Sequence, residues 1–269
     1  FIVYDSEGNT SVRTISAGNA KRKYLMTDSS GTHQVYCVES GIDFNTGNSY
    51  VSQNGKNSSY FRKLPTEAQF GVMMALMYGW HEGKSSPVAG TNTDDYAFAT
   101  QTIIWEYQQQ LRTSPSDLHS ANGIDADTYR YSLKDRPAEK CYDWILSQMA
   151  SHYTIPSFAA RNQSKADTYT LKYNPDRQNY GLTLTDTNNT LANLSLSASG
   201  IKVSRSGNQY TFTSDKMITS PITVSAQKAV NLDCDEMLIW GCVGKQTMVS
   251  GASDPVYFYF KIDTETYGT

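Results

Sequence analysis

The segment Ala99-Thr100-Gln101-Thr102-Ile103-Ile104-Trp105 lies in the one long stretch of the chain with clean helical periodicity. Tyr96, Thr100, Ile103, Ile104, Tyr107 and Leu111 recur at the spacing that lines one face of a helix, which predicts a helix from about Asp94 to Arg112. Thr93, Asp94 or Asp95 supplies its N-cap, where a carboxylate is also favoured by the helix dipole. Gln101 stands four residues before Trp105, so the two side chains stack on one face. A carboxamide on an apolar helix has two donors and an acceptor to place, and burying it unbonded costs about 1–3 kcal/mol. Gln101 therefore needs a partner. The best candidate upstream is Cys37, in the strand-like run Val35-Tyr36-Cys37-Val38-Glu39-Ser40-Gly41.

Helical patterns flank the segment on both sides. Pro65 suits a first helical turn, and Thr66 with Gln69 offers a capping box. Phe70, Met73, Met74 and Met77 form an apolar stripe that ends near Gly79. His81–Thr93 and Ser114–Gly123 read as loops, Asp125–Leu133 as a short helix. A third long helix runs from about Pro137 to His152, with Tyr142, Ile145, Leu146 and Met149 on one face.

Outside this region the pattern is that of strands. Residues 1–60 alternate strand-like runs with turns such as Ser29-Ser30-Gly31 and Asn45-Thr46-Gly47-Asn48. From Ile155 onward, short Thr-, Val-, Tyr- and Phe-rich runs are separated by turn clusters, as in a sandwich or barrel. The fold class read from this is α+β. N- and C-terminal strands (1–63 and 154–269) form a β-sandwich or barrel, with an inserted helical subdomain (64–153), together one domain.

Composition bounds the function. The 269 residues carry a formal net charge of −3, with no sign of a nucleic-acid groove or a membrane surface. No apolar run is long enough to cross a bilayer. Abundant Ser, Thr, Asn, Gly and Tyr with few charged residues point to an extracellular surface protein. The chain opens at Phe1 on strand-like sequence without a signal peptide, as expected of a piece of a larger exported protein. Four cysteines, Cys37, Cys141, Cys234 and Cys242, lack zinc-ribbon spacing, and neither a metal nor a cofactor is implied. Cys141 reads as a core thiol. Cys234 and Cys242 are close enough in sequence to meet across a turn.

A thiolate can attack a glutamine carboxamide and expel ammonia, leaving an internal thioester. The reaction needs the two groups held in contact, donors aimed at the developing oxyanion, and walls that keep out water. Tyr36, Tyr96 and Trp105 could supply the walls. Once formed, the bond stores an acyl group that an amine can capture. Tyr36-Cys37-Val38-Glu39 resembles the aromatic-Cys-apolar motif of thioester domains, adhesive modules of Gram-positive bacterial surface proteins. Thr100-Gln101-Thr102-Ile103-Ile104-Trp105 resembles the family's Thr-Gln-x-x-apolar-Trp motif. Ile239-Trp240-Gly241 through Gly244-Lys245-Gln246-Thr247-Met248-Val249 is similar to its closing β-segment. The resemblance implies a thioester between Cys37 and Gln101, supported by Tyr36, Thr100 and Trp105. It also implies covalent amide (isopeptide) attachment to an amine, such as a lysine of a host protein, by a single-use module rather than a turnover enzyme. The setting it implies is a monomeric part of a multidomain protein on the cell surface or cell wall. Cys37 and Gln101 are 64 positions apart, unlike the close neighbours of complement-type thioester proteins.

Two other functions compete. A cysteine transferase or protease needs a histidine beside the thiolate. Of His33, His81, His119 and His152, His81 is the one that could act as base for an incoming amine, and all four read as surface residues. A non-covalent carbohydrate- or protein-binding β-sandwich is the other. Glu39, two positions after Cys37 in a strand, shares its face.

Overall fold

The structure is a computed structural model that describes residues 2–4, 10–12, 23–42, 44, 48–190, 193–196, 198–229, 236–253 and 256–266. Its elements in chain order begin with strands β1 (Ile2–Tyr4), β2 (Thr10–Val12), β3 (Tyr24–Asp28), β4 (Gly31–Cys37) and β5 (Val51–Asn54). Helices α1 (Ser59–Lys63), α2 (Thr66–Tyr78) and α3 (Thr93–Gln108) follow, then β6 (Arg112–Ser114), β7 (Asp117–Leu118) and helix α4 (Pro137–Tyr153). The rest is β: β8 (Thr168–Asn174), β9 (Asn179–Thr185), β10 (Asn193–Leu196), β11 (Lys202–Ser206), β12 (Gln209–Ser214), β13 (Ile222–Ala229), β14 (Leu238–Gly241), β15 (Met248–Ser250) and β16 (Tyr257–Thr264).

The chain divides into two compact units, Phe1–Ala150 with Leu232–Pro255, and Ser151–Asn231 with Val256–Thr269. In the first, an antiparallel five-stranded sheet runs β3-β4-β15-β14-β5 beside the helices. In the second, a seven-stranded sheet runs β10-β13-β16-β8-β9-β12-β11, antiparallel except for β16 with β8. The α+β class holds, and early strands do share a sheet with late ones. The grouping differs from the expected single β-body. Strands β14 and β15 leave the other late strands because Met248 and Val249, both fully buried, pair with Cys37 and Tyr36. The second unit closes on its own core, where the Phe158 ring meets Tyr210, Phe212 and Phe260 at centroid distances of 5.5–6.1 Å.

Helix α3 organises the first unit. Its cap is Asn92, one residue before the expected set: Asn92 Oδ1 accepts from the Asp94 and Asp95 N–H groups, and Asp95 returns a bond to the Asn92 N–H. From Tyr96 to Gln108 every residue is buried, so the helix is enclosed on all sides rather than amphipathic. It stops short of Arg112: Gln110 turns left-handed, at φ 61°, and Arg112–Ser114 forms a small hairpin with Asp117–Leu118 where a loop was expected. Glu106 and Arg112, both buried, pair at 3.0 Å. The Tyr142 hydroxyl donates to Glu106 at 2.8 Å and accepts from Arg112 at 2.7 Å, tying α3 to α4.

Other expectations shift locally. The 125–133 segment contributes a 3-10 turn at Arg130–Leu133 rather than an α-helix. Pro65 occupies the N-cap of α2 with no side-chain cap bond, and Gln69 instead donates to the Leu64 carbonyl. Phe70 and Met73 are only half-buried. The inward face of α2 is made by Ala68, Gly71, Val72, Met74, Ala75, Leu76 and Met77. Cys141 is a buried free thiol as expected, whereas Cys234 lies outside the described residues. The turn at Asn45–Gly47 also lies outside them.

Gly71 sets how closely α2 approaches α3, since a Cβ there would stand 2.0 Å from the Tyr107 ring. A helical Gly→Ala change ordinarily gains up to about 1 kcal/mol. Here the clash with a fully buried tyrosine reverses the sign, and overpacking of this kind costs about 1–3 kcal/mol. Gly71→Ala is therefore expected to lower the urea midpoint with an unchanged m-value. A raised midpoint would contradict this packing.

Candidate functional site

Gln101 finds its partner in the backbone of Cys37. The Cys37 N–H donates to Gln101 Oε1 at 2.8 Å, and Gln101 Nε2 donates to the Cys37 carbonyl at 2.8 Å. The sheet leaves room for this. On one flank β4 pairs with β15, where the Val38 N–H donates to the Thr247 carbonyl. In an antiparallel ladder the N–H and C=O of one residue point to the same flank, so those of Cys37 point to the other side. There β3 begins at Tyr24, opposite Val35, and the carboxamide of Gln101 takes the position a further strand residue would fill. Cys37 and Gln101 are each 4 % exposed.

The neighbours of both residues converge on the peptide groups of Trp80. The Tyr36 hydroxyl donates to the Trp80 carbonyl at 2.5 Å, and the Trp80 N–H donates to Thr100 Oγ1 at 3.0 Å. Thr100 in turn donates to the Tyr96 carbonyl at 2.8 Å, one turn back along α3. Gly79 makes the approach possible: a Cβ there would lie 2.3 Å from the Thr100 methyl and 2.5 Å from the Ala75 carbonyl oxygen. The two motif elements are thus clamped by one loop residue that neither motif contains.

A second set of contacts encloses the chain just after Cys37. Tyr60 donates to the Val38 carbonyl at 2.5 Å, and Tyr129 donates to Ser40 Oγ at 2.8 Å. Gln246 Nε2 donates to the Glu39 carbonyl at 2.8 Å, and the Thr247 N–H donates to the Glu39 carboxylate at 2.6 Å. Glu39, fully buried, thereby fastens β15 to the end of β4. Trp105 packs its ring against Tyr129, with centroids 5.5 Å apart, and its buried indole N–H has no hydrogen-bond partner among the described residues.

Burial pushes the Cys37 thiol well above its ordinary value, offset in part by a hydrogen bond with the Gln246 side chain. Tyr36 is raised by burial as well. At neutral pH the thiol is therefore protonated, the opposite of the activated thiolate of a cysteine hydrolase. His33 bonds to Asp28 and Ser30, with its ring 5.4 Å from that of Trp240, and His119 pairs with Asp117. His33 and His152 are buried, against the expectation of four surface histidines. His81 follows Trp80, half-buried, in the loop after α2, and its carbonyl accepts from the Lys84 N–H. Among the described residues, no group of three or more His, Cys, Asp or Glu side chains is placed to hold a metal.

The structure brings Cys37, Gln101, Tyr36 and Thr100 together around the end of β4 and the Trp80 peptide. Sequence reading missed the roles of Trp80, Gly79, Tyr60 and Tyr129, naming Gly79 only as the end of a helical stripe and Gln246 only within a segment. A Gly-Trp pair at the end of a helix is the signal for the first two. Nothing local marks the tyrosines, which arrive from distant positions in the chain.

The arrangement is suited to acyl chemistry between the two side chains. The Cys37 N–H already points at the carboxamide oxygen, where negative charge develops when a nucleophile adds to the carbon. Burial excludes water from the acyl group.

Residues 34–151 match the family model for the thioester domain, a span that includes both motifs. The resemblance read from the motifs thus holds. No curated protein matches the chain. Among solved structures, the thioester domain of the Staphylococcus aureus TIE protein aligns at 17% identity and a TM-score of 0.50, over 87% of this chain and 83% of that one. At that identity the likeness shows the fold. The thioester domain of the Enterococcus faecium TIE86 protein aligns at 12% identity and a TM-score of 0.30, over 89% and 83% of the chains. The Bacillus anthracis TIE protein aligns at 10% identity and a TM-score of 0.36, over 88% of this chain and 44% of that one.

The clamp on Trp80 can be tested without touching Cys37 or Gln101. Thr100→Val keeps the shape but leaves the Trp80 N–H unpaired in the interior, which costs about 1–3 kcal/mol. Urea unfolding of Thr100→Val is expected to show that loss, and Thr100→Ser is expected to recover most of it. Equal stability of all three proteins would contradict the clamp.

Proposed function

We propose that Cys37 and Gln101 form an internal thioester that captures an amine covalently. The observation that carries this reading is the reciprocal bonding of the Gln101 carboxamide to the Cys37 backbone, which ties the acyl group to that cysteine residue away from water. In forming the bond, Cys37 Sγ attacks Gln101 Cδ while the Cys37 N–H stabilises the oxyanion on Oε1. The C–N bond breaks and the nitrogen leaves as ammonia, taking up the thiol proton, so the step is balanced without an external base. A primary amine then adds to the same carbon, the C–S bond breaks, and the proton lost from nitrogen returns to Cys37 as a free thiol. Tyr36 and Thr100 hold the frame through Trp80, and Trp105 with Tyr129 walls it. His81, next to Trp80 in sequence, is the candidate to receive the proton from the incoming amine.

The acyl group is consumed, so this is a single-use binding module and not a turnover enzyme. The partner in this reading is a lysine of a host protein, attached through an isopeptide bond. The setting is a Gram-positive surface adhesin, extracellular, with this chain a monomeric part of a larger protein anchored at the cell wall. The family match over residues 34–151 supports the thioester, and the buried, protonated thiol speaks against a protease.

Intact mass spectrometry tests this. The wild-type chain should be lighter than its sequence mass by one ammonia, and Cys37→Ala and Gln101→Ala should each lack that deficit. Methylamine should add to the wild type alone. A wild type of full sequence mass, freshly purified without amines, would refute the reading.

A further inference from the structure

On antiparallel strands, residues in register share a face of the sheet, and along one strand every second residue does. Cys37 pairs with Met248, and Met248 with Trp240. Val35, two residues before Cys37, pairs with Tyr24. Tyr24, Cys37, Met248 and Trp240 therefore lie on one face of the five-stranded sheet. The same tyrosine and tryptophan line an open groove of about 600 Å³, together with Phe44 and Tyr50. The Tyr24 and Phe44 rings meet tilted at a centroid distance of 4.6 Å, and those of Phe44 and Tyr50 at 5.8 Å.

Tyr50 is a groove residue whose ionisation feels Cys37. Its ring is a wall of the groove. Its hydroxyl oxygen is buried and has no hydrogen-bond partner among the described residues. Burial, with Cys242, Cys37 and Glu39 nearby, pushes the phenol up to about 12, so it stays protonated and cannot serve as a base. Lys23, at the edge of the groove, is compensated by Asp94 at 2.6 Å and lies over the Trp80 ring. The groove thus has aromatic faces along it and a buried, unpartnered hydroxyl oxygen in its inner wall, and Lys23, the cation lining it among the described residues, is already paired. A methylene chain ending in a primary amine matches these surfaces: rings cover the chain and attract an ammonium, and an oxygen lone pair receives an N–H.

We propose that this groove is the entry subsite for the attacking amine, with Tyr24, Phe44 and Trp240 covering its alkyl chain and the Tyr50 hydroxyl accepting a hydrogen bond from its nitrogen as it turns toward Cys37. The proposal rests on the thioester reading and adds a preference for long-chain primary amines. Tyr50 acts here as a positioning residue that touches the nucleophile.

The test compares wild type, Phe44→Ala and Tyr50→Phe by the rate of mass gain with pentylamine and with methylamine, which lacks a chain to fill the groove. The ammonia deficit is checked first in each protein. Tyr50→Phe should keep the deficit and react about tenfold more slowly with pentylamine. Phe44→Ala should slow pentylamine by a similar factor and leave methylamine unchanged. Deficits intact and pentylamine rates within twofold of wild type in both variants would overturn the subsite alone. A wild type without the deficit would overturn the thioester reading and the subsite with it. Should Phe44→Ala lose its deficit through misfolding, Tyr50→Phe decides the matter.

Discussion

Two hydrogen bonds between a side-chain carboxamide and one peptide unit fix the geometry of this protein. Gln101 sits in a helix buried on all sides and would be costly there without partners. Cys37 sits on a strand whose neighbour on one flank starts too late to serve it. Each supplies what the other lacks, and the union ties the Gln101 side chain to the Cys37 backbone in the interior. The requirement is energetic before it is chemical: a buried amide and a buried strand N–H left open would each cost about 1–3 kcal/mol.

Much of the surrounding structure keeps that meeting in register. Asn92 starts α3 at a defined residue. Gly71 and Gly79 let α2 and its following turn approach closely. Trp80 is held from the strand by Tyr36 and from the helix by Thr100. Glu39, Gln246 and Thr247 lock the far side by joining β15 to the end of β4. The acyl group is thus supported by rigid elements on both sides, as small-distance chemistry requires.

The central helix, the contact of Gln101 with Cys37 and the strand character of the C-terminal half were legible because they rest on local periodicity and on an amide that needs a partner. Helix ends were less so: Asn92 rather than Thr93 caps α3, and Gln110 ends it early in a left-handed turn. The partition of the strands was not readable at all. Nothing in Leu238–Ser250 marks it for the sheet of Cys37 rather than for that of its sequence neighbours, since alternation says which face is buried but not against what. The same holds for Tyr50, Tyr60 and Tyr129, whose roles come from tertiary placement.

The most direct measurement is the electron density between Cys37 Sγ and Gln101 Cδ in a low-dose crystal structure grown without amine nucleophiles. The account predicts continuous density at covalent distance, with no nitrogen on the Gln101 acyl carbon and the Cys37 N–H still directed at its oxygen. An intact carboxamide with the sulfur at van der Waals separation, in crystals free of radiation damage, would contradict it.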